Sequence, residues 1–273
     1  MSGTDLPVGV FDSGVGGLTV LGALMRALPA ESFLYLGDTA RLPYGTKSAE
    51  TVVRYATRAT QLLVERGIKA LVVACNTASA AALPALRERF AGLPVIGVVE
   101  PGARAACARS ASGRIAVLAT ESTVAGGAYQ RAIQALRADA VIHARACQVF
   151  VALAEEGWTD GDVVLAAAHR YLDPLFAVGD DVPDTLVLGC THFPVLAGAL
   201  AQVAGPAVSI VDASDAVAQS LREVLRSAGQ LAPAGERGQL ELLATDGVER
   251  FARVGATFLG RGIRAQDVRL VDL

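Results

Sequence analysis

The chain has 273 residues, a formal net charge of −3, 52% hydrophobic residues, three histidines and four cysteines. Its length suits two α/β domains of moderate size, and the mild acidity without a dense Lys/Arg cluster argues against a nucleic-acid surface and for a small-molecule ligand. Cys75, Cys107, Cys147 and Cys190 show no CxxC spacing and so exclude a zinc knuckle or a disulfide framework, reading instead as reduced thiols. Residues 1–7 lack a basic start followed by an apolar core, and no apolar run is long enough to cross a bilayer, so a cytoplasmic protein is expected.

In chain order, short strands at 8–11, 33–36, 70–74 and 95–98 alternate with helical periodicity at 18–28, 48–66 and 77–90. That alternation predicts a parallel sheet covered by helices. Glu100-Pro101-Gly102 reads as punctuation, after which a second series begins: strands at 115–119, 141–145 and 185–188, with helices near 123–137, after Gln148 and near 160–172. The tail repeats the pattern with strands at 208–211 and 240–244 and helices from 215 and over 248–258, and its periodicity does not say which sheet it joins. The expected fold class is α/β, two similar α/β domains with mainly parallel sheets.

Ligands of open parallel sheets gather beyond the carboxyl ends of the strands. Two cysteines stand at such ends, in Leu71-Val-Val-Ala-Cys75-Asn-Thr and Leu186-Val-Leu-Gly-Cys190-Thr-His. Each is expected where a strand gives way to a helix, a place whose amides and dipole lower a thiol's pKa. A single such cysteine suggests a nucleophile; two in matched settings suggest a pair of bases acting on one substrate from opposite sides, in the cleft between the domains. His192, two residues after Cys190, can exchange a proton with it or order a ligand. Asn76, Thr77 and Thr191 offer donors to an anionic ligand.

Asp12-Ser13-Gly14-Val15-Gly16-Gly17 closes the first strand. Thr19 occupies the place of the third glycine of a dinucleotide fingerprint and the P-loop Lys-Ser/Thr pair is missing, so these glycines are read as keeping the turn tight for Asp12 and Ser13. Asp12 taken alone is equally well a helix cap. Pro43-Tyr44-Gly45 can turn amides toward a carboxylate while the tyrosine ring forms a wall; taken alone it is an ordinary turn. Glu155 and Glu156 read, from composition, as the exposed end of an amphipathic turn. Cys190 and His192 lack further ligands at metal-site spacing, and no metal, pyridoxal phosphate or mononucleotide motif is present, so no cofactor is expected.

Taken together and in order, Asp12-Ser13-Gly14, Pro43-Tyr44-Gly45, Cys75-Asn76-Thr77, Leu153-Ala-Glu155-Glu156-Gly157 and Cys190-Thr191-His192-Phe193-Pro194 resemble the glutamate racemases, within the wider group of cofactor-independent Asp/Glu racemases. The resemblance implies that the C-terminal segment returns to the first domain, giving domains of 1–99 plus 211–273 and of 100–210. It implies reversible conversion of L- and D-glutamate in the supply of D-glutamate for peptidoglycan. By motif position, Cys75 would take the α-proton of D-glutamate with help from Asp12. Cys190 would take that of L-glutamate with help from His192 and from Glu155, in preference to the adjacent Glu156. Asp12, Ser13, Tyr44, Gly45, Asn76, Thr77, Thr191 and His192 would hold substrate, with Thr120 or Thr123 adding to them. Two segments depart from the family pattern. Thr120-Glu-Ser-Thr123 lacks a glycine common before the second threonine. Cys147-Gln148 replaces a Cys-Pro pair, a change expected to alter turn stiffness more than chemistry.

Rival readings are an aspartate racemase of the same group, a thiol hydrolase or lyase with one nucleophilic cysteine, and a two-lobed binding module. A homodimer suits a cleft enzyme that opens and closes.

Overall fold

The computed structural model describes residues 4–177, 181–235 and 237–273; parts of the segments 1–7, 1–99, 100–210 and 211–273 named above therefore lie outside the described residues. Among the described residues every strand pairing is parallel, in two sheets. The first sheet has the order β10-β9-β2-β1-β3-β4, formed by β1 (Val8–Asp12), β2 (Phe33–Gly37), β3 (Ala70–Val73), β4 (Val95–Gly97), β9 (Leu240–Ala244) and β10 (Val268–Leu270). The second has the order β6-β5-β7-β8, formed by β5 (Arg114–Ala119), β6 (Val141–Ala146), β7 (Thr185–Gly189) and β8 (Ser209–Val211). The two last strands of the chain thus return to the first sheet, β9 pairing with β2 and β10 with β9 at the sheet's edge.

Strands buried on both faces need apolar side chains on both. In β1, Val8 and Val10 enter one core with α1 (Leu18–Ala27), α10 (Ser214–Ser227) and α11 (Val248–Leu259). Phe11, turned to the other face, packs with α2 (Ala49–Glu65) and α3 (Asn76–Arg89). The second sheet is layered in the same way. On one face lie α7 (Val149–Glu155), α8 (Asp162–Leu172) and α9 (Ala197–Ala204); on the other lie α4 (Val99–Arg109) and α6 (Ala128–Leu136).

Three local expectations need correction. Glu100-Pro101-Gly102 is not a break but the first turn of α4, where proline forfeits only an amide that the helix leaves unpaired. The helix expected near 123–137 is two, α5 (Glu121–Gly126) and α6, split at Gly127, whose φ of 63° is left-handed. After Cys190 the chain forms a 3₁₀ turn over Phe193–Leu196, anchored by the buried Phe193 ring against Phe150, and α9 starts only at Ala197.

The topology places the site. In the first sheet the chain steps from β1 to β2, then crosses to β3 on the far side of β1; in the second it steps from β5 to β6, then crosses to β7 on the far side of β5. Each sheet therefore has a switch point where outgoing loops diverge and leave a crevice. Asp12 closes β1 and Cys75 follows β3 at one switch point; Thr120 follows β5 and Cys190 follows β7 at the other.

Candidate active site

The two crevices face each other across one cavity of about 50 Å³, lined by Ser13, Tyr44, Gly45, Cys75, Asn76, Thr77, Thr120, Gln148, Glu155, Cys190, Thr191 and His192 among others. Asp12 sits directly behind this lining, wholly buried. Every residue named above as a site candidate is at or against this cavity except Glu156, which is exposed, and Thr123, which stands behind Thr120. Cys107 and Cys147 do not line it; like the other two they are free thiols.

On the first-sheet side, Cys75 is the N-cap of α3, and its sulfur accepts the Ala78 amide at 3.5 Å while the thiol donates to Ser13 Oγ at 3.4 Å. The helix terminus does not leave this thiol acidic, as its position alone suggested. Burial comes first and the neighbouring Asp12 charge adds to it, pushing Cys75 up to about 12 despite the Ser13 and Ala78 contacts. Asp12 Oδ2 accepts the Gly14 amide at 2.9 Å, Oδ1 has no hydrogen-bond partner among the described residues, and burial raises this carboxyl as well, against the opposing charge of His192.

The second-sheet side has the opposite sign. Cys190 Sγ lies 3.8 Å from His192 Nδ1, and His192 Nε2 is 3.0 Å from Glu155 Oε1. Burial opposes the imidazolium, but its hydrogen bonds to Cys190 and Glu155 and the charges of Cys190 and Asp12 outweigh it and raise His192 to about 10. Glu155 is pulled below the usual carboxylate range: burial works against this, and the hydrogen bonds and charges of His192 and Arg250 prevail. At neutral pH, therefore, Cys75 is a neutral thiol beside a carboxyl group, and Cys190 stands against an imidazolium held by a carboxylate.

The glycines of the first loop supply space. Neither Gly16 nor Gly17 has a positive φ, but a Cβ on Gly16 would stand 2.5 Å from Thr191 Oγ1 and 2.6 Å from His192 Nδ1, and one on Gly17 2.5 Å from Asp12 Cβ. Thr19, where a nucleotide fingerprint would need glycine, donates instead to the Thr191 carbonyl at 3.2 Å. Further bonds run between the two sheets' elements. Thr77, Thr120 and Thr123 form a triangle of hydroxyls with sides of 2.8, 3.0 and 3.2 Å, and the Tyr129 hydroxyl donates to Asn76 Oδ1 at 2.7 Å. Tyr44 packs its ring against Phe11 and Tyr55 and donates to Asp38 Oδ2 at 2.6 Å; Asp38 is itself buried and bonded to Thr245.

Asp38, Tyr129, Gln148 and Arg250 are site or supporting residues that sequence reasoning missed. None carries a local pattern; each becomes visible only through a partner far away in the chain. Gln148 does more than relax a turn, because it lines the cavity and its Oε1 accepts the Glu121 amide at 3.4 Å. Among the described residues no group of three or more His, Cys, Asp and Glu side chains is arranged to hold a metal ion, and no helix is long and apolar enough to cross a membrane. The arrangement can present one acid–base group to each face of a small anion-bearing ligand, with amide and hydroxyl donors between them.

Residues 13–221 match the family model described as Asp/Glu/Hydantoin racemase. The chain is 49% identical to a glutamate racemase of Geobacter metallireducens over 253 residues, covering 93% of this chain and 92% of that one. It is similar to the crystal structure of glutamate racemase from Thermus thermophilus in complex with β-chloro-D-alanine, with a TM-score of 0.87, 45% identity and coverage of 99% and 98%. It is also similar to that from Francisella tularensis in complex with D-glutamate, with a TM-score of 0.90, 32% identity and 98% coverage of both chains.

Proposed function

The chain belongs to the Asp/Glu/hydantoin racemase family, and we propose that it interconverts L- and D-glutamate by passing the α-proton between two cysteines, without a cofactor. The observation that carries this reading is the pair of buried thiols, Cys75 and Cys190, at matching switch points on opposite walls of one cavity, each with its own acid–base neighbours. The substrate is taken to be glutamate because the curated relative and both structures cited are glutamate racemases, one of them with D-glutamate bound.

With L-glutamate, the Cys190 thiolate takes the α-proton; the Cα–H bond breaks, an S–H bond forms, and the electron pair stays on the substrate. The Cys75 S–H bond then breaks as its proton goes to the opposite face of the α-carbon, leaving D-glutamate and a Cys75 thiolate. D-glutamate runs the same steps in reverse. A thiol is more acidic than an amino-acid α-carbon by about ten pKa units, or about 14 kcal/mol, so the site must stabilise the carbanion as it forms. Asn76, Thr77 and Thr191 serve the carboxylates, and the buried walls exclude water from them. Asp12 carries protons for Cys75, as His192 with Glu155 does for Cys190. In the free enzyme Cys75 keeps its proton and Cys190 faces a cation, which sets the site to receive L-glutamate. The substrate ammonium then offsets the Asp12 charge that opposes a Cys75 thiolate.

The working unit is read as two lobes, 1–99 with 211–273 and 100–210, that part to admit substrate to a cavity otherwise too narrow for it. The product, D-glutamate, suits a cytoplasmic supply to peptidoglycan synthesis. Proton NMR with L- and, separately, D-glutamate in D₂O, without added cofactor and alongside circular dichroism, tests the reaction. Loss of optical activity with deuterium at Cα from both enantiomers is expected. Activity on aspartate alone would keep the chemistry and change the substrate, and silence with both would overturn the reading.

A further inference from the structure

Glu155 divides its two oxygens between two lobes. Oε1 meets His192 Nε2 at 3.0 Å, within the second-sheet lobe that holds both residues. Oε2 accepts from Arg250 Nη2, also at 3.0 Å, and Arg250 lies on α11, which packs on the first sheet. The same helix touches the histidine directly, for Phe258 sets its ring edge-on to the imidazole with centroids 5.0 Å apart. Arg250 reaches Glu155 from a separate cavity of about 200 Å³ on the outer side, which shares Leu42 and Glu155 with the catalytic cavity.

We propose that Arg250 is a positioning residue for the Cys190 half of the reaction, a link from α11 that fixes the Glu155 carboxylate, and through it the imidazole, when the lobes are closed. A carboxylate on the last turn of the short helix α7 (Val149–Glu155) has free torsions, and one hydrogen bond to His192 leaves its plane undetermined. A second bond, from a guanidinium on the other lobe, fixes that plane. When the lobes part, the link from Arg250 breaks, because its ends lie on different lobes. The His192–Glu155 bond persists, because both its ends lie on one lobe. Closure therefore completes the acid–base relay beside Cys190. The charged groups bearing on the relay are Cys190, Glu155 and Asp12 around His192, and His192 and Arg250 around Glu155.

The proposal rests on the two-thiol reading above, and its test separates the two. A racemase has an equilibrium constant of one, so kcat/KM falls equally in both directions and cannot reveal which half is damaged. Kinetic isotope effects with Cα-deuterated L- and D-glutamate can, because the label leaves to Cys190 from the L-enantiomer and to Cys75 from the D-enantiomer. In Arg250→Ala, kcat/KM should fall about tenfold. The isotope effect on the L-enantiomer should rise as its proton transfer becomes more rate-limiting, while that on the D-enantiomer falls. Arg250→Lys, which keeps a cation in reach, should recover most of the rate and restore the wild-type pattern. Equal isotope effects in Arg250→Ala and the wild-type enzyme would overturn the role of Arg250 and leave the two-thiol mechanism standing. Absence of any isotope effect or racemisation in the wild-type enzyme would instead remove the reading beneath it. A uniform loss of active enzyme lowers the rate without moving the ratio of the two effects, so misfolding cannot imitate the expected result.

Discussion

Tyr129 and Asn76 are joined across the cleft by a 2.7 Å hydrogen bond in which the phenol donates to the amide oxygen, and both side chains are buried. Because the oxygen is taken, the Asn76 amide nitrogen is the group left for a ligand. Tyr129→Phe removes the donor and leaves a buried carbonyl unpaired, a loss of about 1–3 kcal/mol. The expected outcome is a KM for glutamate raised about tenfold with a smaller change in kcat, together with a melting temperature lower by a few degrees. Steady-state kinetics and calorimetry check both.

Replacing either thiol should abolish racemisation while sparing half of the chemistry. In Cys75→Ala and in Cys190→Ala the turnover of glutamate is expected to fall by at least about 10³-fold, the scale of a lost general acid or base. With a 3-chloro analogue of glutamate, elimination of chloride needs only one base. Cys75→Ala should then act on the L-enantiomer alone and Cys190→Ala on the D-enantiomer alone. Full racemase activity in either variant would remove the two-base mechanism.

The opposite charges beside the two thiols predict unequal reactivity in the free enzyme. Cys75 is held near 12 with a carboxyl neighbour, whereas Cys190 faces an imidazolium, and the two are almost equally buried at 4% and 6% exposed. Iodoacetamide at pH 7.5, followed by peptide mass mapping, should label Cys190 first, with Cys75 labelling slow and still rising above pH 9. Equal labelling at neutral pH would contradict the asymmetry.

Gly16 faces Thr191 and His192 so closely that a single methyl must push them away. Gly16→Ala is expected to lower kcat/KM by at least about 10²-fold, since a displacement near 1 Å at a catalytic group costs this much. Each sheet keeps its own core, so the circular dichroism spectrum should be unchanged. A fully active Gly16→Ala protein would show that the first loop does not set the position of His192.

His192 gives stability a pH signature. Its pKa is raised from the usual 6.5 to about 10 in the folded protein, so its contribution is fully present below about pH 6.5 and is lost as pH rises toward 10. Within that window the folded protein binds up to one proton more than the unfolded chain, and stability falls by up to about 1.4 kcal/mol per pH unit. Melting curves between pH 7 and 10 should fall more steeply for the wild-type protein than for His192→Gln. Parallel curves would mean that the imidazole is not protonated in the fold.

The sequence by itself determined a good deal. Alternating strand and helix periods, set by which residues must be buried on both faces of a parallel sheet, identified most elements. Both cysteines could be placed at strand ends because each closes an apolar run. The expectations that failed were local ones. Glu100-Pro101-Gly102 looked like a break because proline forbids a helix interior, yet it costs nothing in a first turn. The β10 strand, three residues long, carried too little pattern to be read. The sense of the Cys75 pKa was mistaken because a helix terminus is a local cue, whereas burial and the Asp12 charge come from elsewhere in the fold.

What only the tertiary structure decided lies at the cleft. Which of Glu155 and Glu156 faces His192 depends on how α7 is rotated on its sheet, and composition cannot give a rotation. Tyr129 and Asn76 are 53 residues apart, and Arg250 and Glu155 are 95. Such pairs are specified by how the elements pack, whereas periodicity and turn residues record only the few neighbours along the chain. A strand end tells where a thiol stands; the charge it faces is set by how the surrounding elements pack.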